Sequence, residues 1–134
     1  APRQVLRALR DGRATAIVAD QNMHRHGIFL PFFGRLAATA RGPALFALRA
    51  GVPVIFGYAL RDGEGAGRYR VHVERLTYEV SDDLEEDVRA LMSAYHSRLE
   101  EVIRSAPEQY FWQHKRWKTR PPGDAEAVRE EQES

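Results

Sequence analysis

Asp20-Gln21-Asn22 directly follows the short apolar run Ala14 to Ala19. A carboxylate placed there sits where α/β sheets bind their ligands, beyond the carboxyl end of a strand. Behind it come Gly27-Ile-Phe-Leu-Pro-Phe-Phe-Gly34, Ala38-Thr39-Ala40 and Gly42-Pro43. The phenylalanines could line an apolar slot, with Arg25, Arg35 and Arg41 in or beside the same stretch. A helix starting near Pro43 would aim its free backbone N–H groups at an anion. A ligand with a greasy chain and a charged head suits such a recess. The plainer alternative makes the phenylalanines core and the arginines solvated.

A second stretch, Pro107-Glu-Gln-Tyr-Phe-Trp-Gln-His-Lys-Arg-Trp-Lys-Thr-Arg-Pro121, interleaves aromatic rings with Lys115, Arg116, Lys118 and Arg120. Rings at headgroup level beside cations match an anionic membrane surface, and Trp112, Lys115, Arg116 and Trp117 are the residues expected there. The same mixture suits stacking on single-stranded nucleic acid, or simple packing of Trp112 and Trp117 on a core.

Charge is segregated along the chain. Its 134 residues carry a net charge of +1, yet residues 1 to 50 hold Arg3, Arg7, Arg10, Arg13, Arg25, Arg35, Arg41 and Arg49 against only Asp11 and Asp20. Guanidinium forks suit phosphate and carboxylate, although arginines on a solvated face are the ordinary case. The acidic stretch from Asp82 and the acidic tail break any continuous phosphate track, so no nucleic-acid partner is expected. Hydrophobic residues at 43% and charged residues at 29% describe a folding domain rather than a disordered one. Without cysteine there are no disulfides or thiolate metal sites, and neither a cofactor nor a metal is expected. No apolar run approaches the roughly 18 residues that span a bilayer. The chain starts with Ala1 rather than Met, as a processed or excised piece of something longer would.

The elements that must position these residues follow from periodicity. Val5, Leu6 and Leu9 among arginines form a short amphipathic helix closed by Asp11-Gly12. Ala14 to Ala19 reads as a strand buried on both faces, and residues 20 to 41 as a long apolar-lined loop. Gly42-Pro43 opens a helix that ends at Gly51. Pro53 to Leu60 and Arg68 to Leu76 are two more strands, joined through Asp62-Gly63 and Gly67. Asp82 with Glu85 suggests a capping box for a helix of about six turns, with Leu84, Val88, Leu91, Met92, Tyr95, Leu99, Val102 and Ile103 at helical spacing. A short helix or turn begins at Pro107. The fold class is therefore α/β, a mixed sheet flanked by helices, over one domain of residues 1–121 followed by a disordered acidic tail, 122–134.

Taken together, DQNMHRHGIFLPFFGRLAATARGPALFALRAGVPVI and PEQYFWQHKRWKTRP resemble the C-terminal half of the lipid A lauroyl/myristoyl acyltransferase family, within the wider glycerolipid acyltransferase group. The resemblance runs from about Val5 to Pro121. It implies a partial glycerolipid-acyltransferase-like fold and transfer of a fatty acyl chain from acyl carrier protein to a lipid A precursor, at the cytoplasmic face of the bacterial inner membrane. Asp20, Gln21, Arg25, Phe33, Gly34, Thr39, Arg41 and Gly42 would form the acceptor or acyl-chain pocket. Acylation of a phosphatidylinositol mannoside, or a non-catalytic anion- or membrane-binding module, fits the same residues.

The family's His-x4-acid motif and its hydrophobic anchor helix would lie upstream, so no catalytic residue is assigned in this chain. His96 and Glu101 have the literal spacing, but five helical residues turn about 500° and leave them about 140° apart. His96 is accordingly expected on a helix surface. Neither His24, His26, His72 nor His114 has an acid at the required offset.

Overall fold

The computed structural model describes residues 2–23, 27–63 and 67–123. In chain order it contains α1 (Pro2–Arg10), β1 (Ile28–Phe32), β2 (Arg35–Thr39), α2 (Gly42–Ala50), β3 (Ile55–Arg61), β4 (Tyr69–Arg75) and α3 (Leu84–Ser105), then a 3-10 turn at Pro107–Gln109.

The expected mixed sheet is absent among the described residues. Two separate antiparallel pairs, β1 with β2 and β3 with β4, stand in its place. Ala14 to Ala19 forms neither helix nor strand there, and only Ala19 of the run is buried. The expected tail lies outside the described residues from position 124 onward.

The span expected to be a loop instead folds back as a hairpin. Phe33 and Gly34, with φ of 52° and 76°, form the two-residue connection between Phe32 and Arg35. Positive φ at both positions is what a tight hairpin with right-twisted strands needs. Pro31 is tolerated because it pairs with Leu36 in the non-hydrogen-bonded register next to the closing pair, so its missing N–H faces outward.

α3 is the spine. Asp83 caps it by accepting from the N–H groups of Glu85 (2.9 Å) and Glu86 (3.3 Å), one position later than the expected Asp82. Its inner stripe, Val88, Leu91, Met92 and Val102, packs with Leu30, Ala44, Ala47, Phe56 and Leu76 in the main core. A second cluster joins Ile103 to Phe32 and Ala37 of the hairpin, with Trp117 against it. Gly51 ends α2 in the left-handed conformation, as expected.

Candidate functional site

The outward-facing carbonyls of the β1–β2 hairpin determine how the surrounding side chains are arranged. Backbone groups on the two outer edges of such a pair need partners when buried. On the β1 edge, Phe29 O accepts from Arg89 and Pro31 O from His96 Nδ1 at 3.0 Å. On the β2 edge, Leu36 O accepts from Arg120, and Ala38 O from Arg116 at 2.7 Å and from the Met23 N–H.

Arg116 is the hub. It is 2% exposed, and besides Ala38 O it donates to Thr39 Oγ1 at 3.0 Å and to His96 Nε2 at 3.2 Å. Its guanidinium also lies 5.6 Å from the Phe32 ring centroid. Phe32 in turn stacks on Trp117, whose indole N–H is shared between Phe32 O and Arg35 O. Arg116 was expected at a membrane surface. It is turned inward because the hairpin offers it a carbonyl, a hydroxyl and an aromatic face. Trp117 is half-buried for the same reason, whereas Trp112 and Lys115 face outward with Phe111.

His96 was expected on the surface and is instead buried at 2% exposure. Burial, reinforced by the Arg116 charge and opposed by the bond to Pro31 O, lowers its pKa to about 4. The imidazole is therefore neutral at pH 7, with its proton on Nδ1. It makes no bond to Glu101, which pairs with Arg98.

Asp20 stands at the end of the Ala14–Ala19 segment. Its Oδ1 is buried and has no hydrogen-bond partner among the described residues. It acts electrostatically on Arg116 and on Tyr95 and Tyr110. Burial, with Asp20 second, pushes the Tyr110 hydroxyl up to about 12 and holds that of Tyr95 well above its ordinary value, so both remain hydrogen-bond donors. Asn22 ties this segment to the C-terminal stretch. Its N–H donates to His114 Nε2 at 2.8 Å, and its side-chain amide bonds Thr119.

The structure thus brings Thr39 into contact with Arg116 and Asp20 within electrostatic reach of it. Phe33 and Gly34 lie at the opposite end of the hairpin, where Glu100 accepts the Phe33 N–H at 2.6 Å and the Arg104 guanidinium lies 5.0 Å from its ring centroid. Arg41 precedes α2 and forms an ion pair with Glu85, with Gly42 beside it. Gln21 is exposed, and Arg25, His24 and His26 lie outside the described residues. The phenylalanines do not line one open recess, since Phe32 is core. The open cleft, of about 730 Å³, lies on the other side of Asp20, between residues 14–20, β3, α2 and α3. Sequence reasoning missed Tyr95 and Tyr110 as neighbours of Asp20, and His96 as a partner of Arg116. Helical spacing put all but Tyr110 on α3, but carried no sign of what faced them.

Comparison with known proteins agrees with the motifs. The family described as bacterial lipid A biosynthesis acyltransferase matches residues 2–119. The chain is 32% identical over 126 residues to the lipid A biosynthesis palmitoleoyltransferase of Escherichia coli (strain K12), covering 92% of this chain and 39% of that protein. It is 31% identical over 121 residues to the lipid A biosynthesis lauroyltransferase of the same organism, covering 89% and 38%. A lipid A biosynthesis acyltransferase of Shigella flexneri is 32% identical over 126 residues, covering 92% of this chain and 39% of that protein. The chain therefore spans about two-fifths of the length of these relatives.

Proposed function

The chain belongs to the bacterial lipid A biosynthesis acyltransferase family, and from that premise we propose that it forms the acceptor-side part of an enzyme moving a fatty acyl chain from acyl carrier protein to a lipid A precursor. Asp20 carries this reading. A buried, unpartnered carboxylate oxygen is costly unless something completes it, and a sugar hydroxyl of the acceptor is a suitable donor. Arg116, through Thr39 and Ala38, holds the neighbouring backbone in place, and the hydroxyls of Tyr95 and Tyr110 offer further donors. Gln21 and Arg25 follow Asp20 in sequence, Arg41 and Gly42 follow Thr39, and these four would meet the acceptor's charged groups. Phe33 and Gly34, at the far hairpin tip, would act on a different part of the ligand.

General-base removal of the acceptor proton would fall to a His and acid pair contributed outside this chain, because His96 is buried with both ring nitrogens already bonded and its basicity lowered. Seating at the cytoplasmic face of the inner membrane would use Phe111, Trp112 and Lys115, which face outward. No described helix is long and apolar enough to cross a membrane.

The test replaces the matched region of the E. coli palmitoleoyltransferase with this chain and follows acylation of a lipid A precursor by mass spectrometry. The chimera should transfer an acyl group, and Asp20→Asn should slow it by about 100-fold, the loss typical of one misplaced positioning group. Full activity in the Asp20→Asn chimera overturns the reading.

A further inference from the structure

Asn22 lies two residues beyond Asp20 and is gripped from the far end of the chain. Its N–H donates to His114 Nε2 at 2.8 Å, its Nδ2 donates to Thr119 Oγ1 at 3.0 Å, and its Oδ1 accepts the Thr119 N–H at 3.3 Å. These bonds tie one residue to two others 92 and 97 positions later. Met23 is held as well, since its N–H donates at 3.1 Å to Ala38 O, the carbonyl that Arg116 engages. Among the described residues, Asn22 is the nearest residue to Asp20 in sequence that makes a hydrogen bond. Two residues of chain reach at most about 7 Å, so whatever holds Asn22 limits where the Asp20 carboxylate can go.

The stretch that supplies the grip, residues 110–120, has two sides. Phe111, Trp112, Lys115 and Lys118 are exposed, whereas Tyr110, His114, Arg116, Trp117 and Thr119 are buried or half-buried. It is neither helix nor strand, so its inward side chains hold it in place rather than a backbone ladder of its own. Packing is already provided by Trp117 on Phe32 and by Arg116 on the hairpin. The Asn22 contacts are of another kind: they are directional, and they use both ends of one amide. A single part-buried hydrogen bond contributes little to net stability, but a displacement of about 1 Å at a reacting group costs about 100-fold in rate. The consequence of losing this grip is therefore read in position before it is read in folding.

We propose that His114 and Thr119 are positioning residues for acyl transfer, which clamp Asn22 and thereby place the Asp20 carboxylate against the acceptor without touching the acceptor themselves. The inference rests on the reading of Asp20 as the group that receives the acceptor's hydroxyl, and it assigns the residues that aim it. His114 serves with a bare Nε2, its proton on Nδ1. Gln carries an amide oxygen to about the reach of Nε2, so His114→Gln keeps an acceptor that His114→Leu removes. Thr119→Ser keeps the hydroxyl that Thr119→Val removes at nearly constant volume.

The experiment places these four substitutions in the chimera of this chain with the E. coli palmitoleoyltransferase and measures kcat and both KM values. His114→Leu and Thr119→Val should each lower kcat/KM for the lipid A precursor by about 10- to 100-fold and leave KM for the acyl carrier protein thioester unchanged. His114→Gln and Thr119→Ser should stay within about threefold of the parent chimera. In an Asp20→Asn background, His114→Leu and Thr119→Val should cost less than about twofold more, because the carboxylate they place is gone. Losses that multiply with that of Asp20→Asn, or conservative variants that rescue nothing, overturn the proposal in favour of a purely structural clamp. A readout independent of turnover is the carboxyl-carbon and amide resonances of Asp20 in the 134-residue chain. They should shift in His114→Leu and Thr119→Val and not in His114→Gln and Thr119→Ser, and unmoved resonances in the first pair overturn the proposal. Thr119→Val, which removes one hydroxyl, decides the matter where His114→Leu does not fold. If Asp20→Asn alone keeps full activity, the acyl-transfer reading of Asp20 falls, and the resonances by themselves decide whether the clamp places it.

Discussion

Arg116 fixes the tautomer of His96. Its guanidinium has only donors to offer, so the 3.2 Å contact to Nε2 requires a bare nitrogen there, and the proton resides on Nδ1, where Pro31 O accepts it at 3.0 Å. Burial, with the Arg116 charge adding to it, holds this imidazole neutral in the core, and the imidazole links α3 to the hairpin.

This arrangement makes folding pH-dependent. The folded pKa of His96 is about 4, against 6.5 for an unperturbed imidazole, so the unfolded chain binds more protons between those values. The His96 contribution is complete above pH 6.5 and is lost as pH falls toward 4. The full shift corresponds to about 3 kcal/mol. Urea unfolding at pH 7 and pH 4 should show that loss, and His96→Gln should remove most of the difference between the two.

Removing the hub should be severe. Arg116→Ala leaves Ala38 O, Thr39 Oγ1 and His96 Nε2 short of a donor and opens a cavity beside Phe32, which should cost about 3–5 kcal/mol. Arg116→Lys keeps the charge but not the fork, and should recover less than half of that. Denaturant midpoints measured for the two variants check the order.

Two glycines of the hairpin region should fail for different reasons. Gly34 has φ of 76° and nothing within 4 Å of an added Cβ, so Gly34→Ala meets only backbone strain, about 1–2 kcal/mol. At Gly27 an added Cβ would lie 2.8 Å from Thr39 O and 2.9 Å from Met23 Cβ. Gly27→Ala must therefore move backbone at the base of the hairpin, costing about 1–3 kcal/mol and weakening the Arg116 contacts. Amide shifts of Thr39 should change in the second variant and not in the first.

Binding to anionic vesicles should depend on outward side chains of the C-terminal stretch alone. Trp112→Ala with Lys115→Ala should weaken sedimentation with phosphatidylglycerol vesicles about tenfold, with stronger salt dependence for the lysine, which is worth about 1 kcal/mol near such a surface. Unchanged binding in the double variant removes the interfacial role of these residues.

Local order was legible in the residues. Apolar spacing marked α3 almost to its ends, Gly42-Pro43 and Gly51 bracketed α2, and alternation marked β4, because each signal lies within one element and repeats its own period. The family motifs were legible for the same reason: they are stretches of continuous chain. Phe33-Gly34 was harder, since Phe is a poor residue for positive φ and its strain is offset by Glu100 and Arg104, 67 and 71 positions away.

Ala14 to Ala19 shows the same division from the other side. Its composition specifies a buried strand, but a strand exists only where a second edge supplies hydrogen bonds, and none does among the described residues. The sequence by itself therefore determined the helices, the β3–β4 strands and the family. Only the tertiary structure decided that Arg116 turns inward, that His96 is buried and neutral, and which strand edges stay bare. Each of these depends on backbone acceptors and donors tens of residues distant, whose positions no local period encodes.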